Sequence, residues 1–412
     1  MVLFNYLWLF FGLVVVPISA TEATETTTAH DSTATTNSLL KIWDIDDGCE
    51  SEIDYIEDSM SIALEIVTAA HEALEFVSRP IPDEEIDRTG RNRWVSIYKC
   101  CMGFFGFEPT ENENYFNEVK AHFAKMKKTI PADQNDPAHG YIYELRDLPN
   151  AKPKMMCGDA TGAEKWKWYS VTDTLPGEHE PISSMKKYEE ISFEYPGAWV
   201  YDHRLVWAHN EDEKPILCPH TRLAAVLWDK DIVVICDEMF YGQAKAVKSP
   251  REWKKSGIVA GAQLNDYHQD HLSVVLVHEL CHWFGGAVRN KEGMPAPIFD
   301  DQTALDGDGR PIYRYQHRDI AFNIEPSHED AISNGYERVL AYGADKVWSL
   351  ARCSKKRIKQ YCGPKKGTKN ADSLALFALA MYYDQWDWSH SALARIPGSK
   401  KRPGEEQGGR EW

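Results

Sequence analysis

The chain has no excess of positive charge. Its 412 residues carry 46 Lys and Arg against 63 Asp and Glu, for a formal net charge of -17. Nucleic acid and anionic membrane surfaces repel such an acidic protein, so we expect neither as a partner. The sequence also contains no N-x-S/T sequon and no internal repeat. The repeat architectures are therefore excluded.

Long apolar runs are scarce as well. The longest stands at the beginning, where residues 1–20 end in Pro17-Ile18-Ser19-Ala20. With about 15 apolar residues the run is short for a membrane span, and a small residue stands at the expected cleavage point. We predict a secretory signal peptide, with an uncleaved membrane anchor as the alternative. After cleavage the protein is expected to be secreted, extracellular and free of the membrane.

The rest of the chain divides by composition into three parts. Residues 21–37 are rich in Thr and have nothing to bury, which predicts a disordered leader or a short pro-segment. Residues 38–397 have a globular composition with many aromatic residues, which predicts one large domain or two tightly joined lobes. Residues 398–412 are Gly-rich and charged, which predicts a disordered tail.

Nine cysteines in an exported chain predict disulfide bonds. The odd count leaves one thiol over, and we assign it to Cys281, which lies in an apolar run. Cys353 and Cys362, nine residues apart, are expected to form a local bridge. The other candidates for pairing are Cys49, Cys100, Cys101, Cys157, Cys218 and Cys236.

Hydrophobic periodicity predicts several helices around a small sheet, which is an α+β fold class. Residues 286–333 are rich in Pro, Gly and Asp and are expected to form loops. The predicted helices cover residues 52–77, 115–126, 334–351 and 370–387, and the predicted strands cover 199–207 and 232–236, the latter followed by a turn.

The strongest chemical signal is the pattern H-E-x-x-H, formed by His278, Glu279 and His282. On a helix the two histidines lie on one face and can bind one metal ion, while the glutamate can reach a water on that ion. Zinc is the expected metal, because it accepts neutral imidazole and in catalytic sites keeps one position for water. Two surface histidines on an amphipathic helix are the competing interpretation. The apolar run before His278 argues against a solvated face.

A catalytic zinc site needs a third ligand, and the metzincin pattern does not supply it, because Val288 stands where a metzincin has its third His. Further along, the sequence contains Tyr342-Gly343 and a helix-like segment, NADSLALFALA, that begins at Asn370. Together with HELCH and the strand that ends at Cys236, these features resemble the aspzincin metallopeptidases, the deuterolysin and lysine-specific endopeptidase group common in fungi. The resemblance covers roughly residues 231–388.

The resemblance implies a secreted zinc endopeptidase with a zincin-like fold, in which residues 38–397 form a metallopeptidase-like domain. His278 and His282 match the metal ligands of the family, and Glu279 matches the general base. Tyr342 matches the tyrosine that stabilises the oxyanion. The third zinc ligand of the family is an Asp.

The position of that Asp departs from the family. Aspzincins supply it from a G-T-x-D-x-x-Y-G segment close after the second His, and here Val339 occupies the position three before Tyr342. We predict Asp330 as the ligand, because it precedes the predicted helix that carries Tyr342, and we keep Asp301 as the runner-up. The other acidic residues of this long insertion include Asp300, Asp306, Asp308, Glu325, Glu329 and Glu337.

Two further Asp-containing stretches have simpler interpretations. Asp306-Gly307-Asp308-Gly309 is a turn signal, or a calcium-like loop without the rest of an EF-hand. Asp372 matches the residue that binds a substrate Lys in the lysine-specific branch, but Ala375 replaces the second acidic residue of that branch. We therefore doubt lysine specificity and expect Asp372 to cap or order its helix.

The sequence thus predicts a secreted zinc metalloendopeptidase that binds one Zn²⁺ per chain, acts on extracellular proteins or peptides and is a monomer. The alternative is a non-catalytic secreted effector or interaction protein on a zincin scaffold that has lost its third ligand. A structural zinc site is a third hypothesis. It is disfavoured because structural sites are closed by four protein ligands and are usually rich in Cys.

Overall fold

Helices and small sheets alternate along the chain in a computed structural model of the protein, and this mixture fits the predicted α+β class. The structure describes residues 39–132, 152–158, 165–185, 195–202, 204–212, 214–219, 222–227, 230–268, 270–289, 295–353 and 360–398. The predicted signal peptide, the Thr-rich leader and the predicted tail beyond Gly398 lie outside these residues. The described residues belong to one unit that runs from Ser38 to Trp412.

The helices are named in chain order. They are α1 (Ile53–Val77), α2 (Arg88–Phe104), α3 (Glu113–Thr129), α4 (Gly242–Lys245), α5 (Pro250–Lys255), α6 (Asn265–His268), α7 (Leu272–Gly285), α8 (His328–Ser333), α9 (Ala344–Ala351), α10 (Pro364–Gly367) and α11 (Ala371–Tyr382). None of the helices in the described part of the chain has the length and apolar character needed to span a bilayer.

The centre of the fold is formed by α1, α7 and α11. Nearly every side chain of α7 and all of those of α11 are buried, and helices that are apolar on all sides are stable only when neighbours surround them. Each packs on α1 and on the other. The H-E-x-x-H helix is therefore a core element rather than a surface helix.

Aromatic packing fixes the position of α11. The ring of Phe377 contacts Phe104 and Phe105 at the end of α2 and Phe123 of α3, with ring centroids 4.9–6.2 Å apart. A fully buried Phe of this kind stabilises a fold by about 1.5–3 kcal/mol. Because the first turn of α11 lies beside the histidines, this packing also determines the geometry of the site.

The main sheet has the order β1-β2-β7-β6, in which β1, β2 and β7 are parallel and β6 is antiparallel to β7. All four residues of β2 and of β7 are buried, as expected for strands covered on both faces. Strand β6 is an edge of this sheet and packs on α7. These strands are β1 (Asp44–Ile45), β2 (Lys154–Cys157), β6 (Ala224–Leu227) and β7 (Ile232–Ile235).

Three smaller antiparallel sheets complete the described strands, with orders β3-β4-β5, β8-β9 and β11-β10-β12. The last of these lies in the long insertion that follows α7. The strands are β3 (Lys167–Ser170), β4 (Gly197–Tyr201), β5 (Arg204–Ala208), β8 (Ala287–Arg289), β9 (Pro295–Pro297), β10 (Ile312–Tyr315), β11 (Arg318–Ala321) and β12 (Glu337–Arg338).

Several predicted elements are confirmed, whereas four differ from the structure. The predicted helix over 370–387 ends at Tyr382, five residues early. The predicted strand over 199–207 is a hairpin of β4 and β5, because Asp202 turns the chain with a positive φ of 48°. The predicted loop over 286–333 contains strands and α8. The predicted helix over 334–351 begins only at Ala344, because Gly343 has a φ of 84° and residues 337–338 pair with β10.

The structure contains three disulfides, Cys49–Cys157, Cys218–Cys236 and Cys353–Cys362. The predicted local bridge and the free, buried Cys281 are confirmed. Cys100 and Cys101 were wrong candidates for pairing, because both are buried in α2 and carry free thiols.

A buried carboxylate joins the main sheet to the β3-β4-β5 sheet. Asp46 follows β1 and accepts hydrogen bonds from Lys165 Nζ and Tyr201 OH, each at 2.7 Å, and from Gly48 N. Burial opposes its ionisation, but these donors outweigh the burial and lower the pKa of Asp46 below its ordinary value. The ionised form therefore contributes to stability.

We predict that Asp46→Asn lowers the free energy of unfolding by about 2 kcal/mol at neutral pH, because it weakens charge-assisted hydrogen bonds. A depressed folded-state pKa stabilises the fold above the unfolded pKa, and the contribution is lost as pH falls through the folded pKa. The difference between parent and variant should therefore shrink below about pH 4. Denaturant unfolding at several pH values measures it. An unchanged difference at acid pH would contradict the assignment.

Candidate metal centre

The side chains of the two histidines of the H-E-x-x-H pattern lie together on one face of α7. His271 caps the start of the helix, where its Nδ1 accepts a hydrogen bond from Ser273 N. The chain leaves the helix at Gly286, whose φ is 72°. Between these ends, the i and i+4 spacing brings Nε2 of His278 to 3.3 Å from Nε2 of His282.

Asp301 approaches the two histidines from the insertion that follows α7. Its neighbours are held in place, since Asp300 N donates to Lys369 O at 2.9 Å and Ala341 N donates to Gln302 O at 2.8 Å. Asp301 Oδ1 lies 3.3 Å from His278 Nε2 and 3.5 Å from His282 Nε2. The described residues thus form a group of three potential metal ligands.

The spacing of these three atoms suits a tetrahedral zinc ion. Two atoms bonded to zinc at about 2.0–2.1 Å and at a tetrahedral angle are about 3.3–3.4 Å apart. The observed separations are 3.3, 3.3 and 3.5 Å. Asp301 Oδ1 is buried and has no hydrogen-bond partner among the described residues, although an uncompensated buried acceptor is costly. Two imidazoles and one carboxylate therefore fit a zinc ion.

In each histidine, the hydrogen-bond partner of Nδ1 determines whether Nε2 can donate or accept. His282 Nδ1 lies 3.0 Å from the carbonyl oxygen of Phe299, which can only accept, so Nδ1 carries the hydrogen. His278 Nδ1 lies 3.5 Å from Asp372 Oδ1, which favours the same tautomer. In the neutral rings both Nε2 atoms present lone pairs toward Asp301 Oδ1. Three acceptors at such distances repel each other unless a proton or a metal ion lies among them.

The charges of the site favour a bound cation. Burial opposes protonation of His278 and His282, but the carboxylate of Asp301 outweighs it and raises the pKa of both, that of His278 strongly. Conversely, burial opposes ionisation of Asp301, yet the two imidazoles lower its pKa well below the ordinary value. The carboxylate stays ionised and attracts positive charge, which a divalent metal ion can supply.

Glu279 is buried beside the two histidines on α7. Burial raises the pKa of Glu279, although His278 and His282 act in the opposite direction. A carboxyl group with a raised pKa is suited to accept and return a proton near neutral pH. Its environment is therefore that of a general base or acid rather than of a surface glutamate.

Tyr342 lies beside the group, and its hydroxyl already has a partner. The hydroxyl donates to Asp301 Oδ2 at 2.6 Å, and the ring stands edge-on to His278 with centroids 5.5 Å apart. This bond turns the carboxylate so that Oδ1 faces the histidines. Stabilisation of an oxyanion, the role that the resemblance implies, would require the hydroxyl to leave Asp301.

Asp372 connects three parts of the site from the first turn of α11. Its Oδ2 accepts a hydrogen bond from Gly343 N at 2.7 Å, and its Oδ1 lies 3.5 Å from His278 Nδ1 and 3.9 Å from His268 Nε2. The residue is only 3 % exposed. A carboxylate behind a metal-binding His fixes the ring orientation. Asp372 therefore does more than order its own helix.

Asp330 is not at the site, so the predicted third ligand is wrong. Its carboxylate accepts a hydrogen bond from Ser327 Oγ at 2.7 Å at the start of α8, and its side chain is exposed. The prediction placed Asp330 just before a helix that carries Tyr342. Because α9 begins after Tyr342, Asp330 does not accompany it. The runner-up, Asp301, lies against the two histidines instead.

The sequence contained a weak signal for Asp301. Pro297-Ile298-Phe299 directly precedes the Asp300-Asp301 pair and is an apolar stretch within a polar insertion. Phe299 is buried and its ring stacks on His122 of α3 at 4.2 Å. Because this apolar stretch is anchored in the core, the acidic pair that follows it lies close to the interior. The Asp306–Gly309 stretch is a turn, as interpreted, with Asp306 bonded to Arg310.

No protein-family model matches this chain, and no curated protein or solved structure matches it either. The functional interpretation therefore depends on the residues of the site.

We predict that Asp301→Asn weakens zinc binding strongly, by about 100-fold or more, because it removes the only negative ligand of the group. Asp330→Asn is the matched control and should bind zinc as the parent does, since the carboxylate of Asp330 only accepts a hydrogen bond from Ser327, the residue that caps α8. Competition with a chromogenic chelator measures both affinities. Equal zinc affinity in Asp301→Asn and the parent, or a loss confined to Asp330→Asn, would contradict the assignment.

Proposed function

We propose that this chain is a secreted zinc metalloendopeptidase of the aspzincin type, with a zincin-like fold, that hydrolyses peptide bonds in extracellular proteins. The observation that carries the proposal is the convergence of His278, His282 and Asp301 beside the buried Glu279. Two imidazoles, one carboxylate and an adjacent Glu are the minimal set for zinc-assisted hydrolysis.

The proposed chemistry assigns one role to each side chain. His278, His282 and Asp301 would hold one zinc ion per chain, which when bound polarises the substrate carbonyl and acidifies water. Glu279 takes the proton from the attacking water and returns it to the leaving amine. Tyr342 exchanges its bond to Asp301 for one to the carbonyl oxygen as negative charge develops there.

A strand at the edge of the main sheet supports a peptide as the substrate. Among the described strands none pairs with the outer edge of β6. Strand β6 packs on α7, the helix that carries Glu279, so this edge lies near the site. An extended peptide can add to such an edge as a further strand. Its backbone would then be bound in one register beside Glu279.

The disulfides and the pattern of residues 1–20 support the proposed extracellular compartment of the protein. Three disulfides support an oxidising compartment, and the signal-peptide pattern of residues 1–20 agrees with secretion. We propose that the mature protein acts as an extracellular monomer on protein substrates. Lysine specificity is not part of the proposal, because Asp372 is buried and faces His278 and Gly343.

The non-catalytic scaffold is the weaker hypothesis. Its main support was the missing third ligand, and Asp301 now supplies a candidate. A protein that only held zinc would also have no need of a buried Glu279, whose ionisation is hindered by burial. A closed structural site is less suitable still, because the group of three contains no Cys.

We predict that Glu279→Gln binds zinc like the parent but loses about 100-fold or more of its casein-cleaving activity, because the general base is removed. His282→Ala should lose both zinc and activity. Glu50→Gln, on the surface, is the control and should keep both. The measurements are zinc content and initial rates of cleavage. A Glu279→Gln protein as active as the parent would rule out the mechanism.

We predict two separate effects of Tyr342→Phe. At saturating zinc, kcat falls by about 100-fold, because an oxyanion donor is lost. Zinc affinity falls by about 10-fold, because Asp301 loses the hydroxyl that orients it. The control is Tyr313→Phe, which removes a hydroxyl of the insertion that donates to Glu325. An unchanged kcat would leave Tyr342 with the orienting role alone.

A further inference from the structure

The side chain of Asn370 is fully buried between the two segments that approach the histidines from the insertion. Its Oδ1 accepts a hydrogen bond from Gln302 N at 3.0 Å, and its Nδ2 donates to Ala341 O at 3.2 Å. Nδ2 also donates to Ser373 Oγ at 3.1 Å within the first turn of α11. Because one backbone partner is a donor and the other an acceptor, the orientation of the amide is fixed.

Each backbone partner of Asn370 is next to a residue of the site. Gln302 follows Asp301, and Ala341 precedes Tyr342. The two segments also bond to each other, since Ala341 N donates to Gln302 O at 2.8 Å. The planar amide of Asn370 therefore adds a second connection between the segment that carries Asp301 and the segment that carries Tyr342.

Asn370 also relates these segments to the histidines. It stands at the start of α11, which packs directly on α7. From the same turn, Asp372 faces His278 Nδ1. We propose that Asn370 is a positioning residue for the third metal ligand, holding Asp301 at the distance from His278 and His282 that a single metal ion requires. The inference rests on the proposed metal centre.

The hydrogen bonds of Asn370 with Gln302 N and Ala341 O explain why position 370 needs an amide side chain of this length. Asp in place of Asn370 would still accept from Gln302 N but would present an acceptor to Ala341 O. Ala would lose both bonds and leave two backbone groups without their buried partner. A ligand that is displaced by a few tenths of an ångström binds zinc poorly, because zinc–oxygen bonds are short and directional.

The test compares the zinc affinity of the full-length protein with that of two variants, measured in the absence of substrate by chelator competition. We expect Asn370→Ala to bind zinc about 10-fold more weakly or worse, as when a partner of a metal ligand is removed. Thr368→Val is the matched control. It removes a buried hydrogen bond two residues away, from Thr368 Oγ1 to Pro364 O, that reaches neither Asp301 nor Tyr342. Its zinc affinity should equal that of the parent.

A second variant, Asn370→Asp, keeps the inference testable if Asn370→Ala does not fold. Asp is a favoured residue at a helix start and retains the bond to Gln302 N. Since it breaks the bond to Ala341 and buries a carboxylate, we expect the zinc-free variant to melt at a lower temperature than the parent, and to bind zinc more weakly at a temperature where both are folded. Parent-like zinc affinity in the folded variants, or an equal loss in Thr368→Val, would overturn the inference alone. A parent protein without zinc affinity would overturn the proposed metal centre as well.

Discussion

Three electron-rich atoms, two imidazole nitrogens and one carboxylate oxygen, converge on one small volume in the interior. At 3.3–3.5 Å they repel each other, and this arrangement is stable only if the surrounding structure holds each atom in place or a cation lies among them. The fold does both. It surrounds α7 with apolar neighbours, and it brings Asp301 to the histidines from an insertion with its own sheet.

The two sides of the site are held by different kinds of force. The histidines depend on hydrophobic packing, because α7 is buried between α1, α11 and β6. Asp301 depends on two hydrogen bonds, one from the Tyr342 hydroxyl to its carboxylate and one from the next backbone amide, Gln302 N, to Asn370 Oδ1. Packing tolerates small changes in shape, whereas a buried hydrogen-bond network loses much of its value when one member is removed. Variants in the insertion should therefore affect the metal more selectively than variants in the core.

Local features of the sequence predicted local features of the structure. The H-E-x-x-H pattern on an apolar run predicted a buried helix with two histidines on one face, and the spacing of Cys353 and Cys362 predicted their bridge. Such reasoning did not decide between Asp301 and Asp330 as the candidate third ligand. Whether Asp301 or Asp330 reaches the histidines depends on where α9 begins and on which segment Asn370 binds, and both are set by contacts between residues far apart in the chain. The contacts that Asp372 and Asn370 make with the site were not predicted for the same reason, since a helix pattern does not show what its first turn contacts.

The central claim is that one zinc ion, held by His278, His282 and Asp301, is required for cleavage of peptide bonds. It is tested most directly by removing metal from the purified protein with a chelator, adding zinc back in steps, and measuring bound zinc and casein cleavage on the same samples. We expect both to rise together and to reach their plateau at one zinc per chain. Cleavage that survives the removal of all metal, or full zinc binding without any cleavage, would contradict the claim.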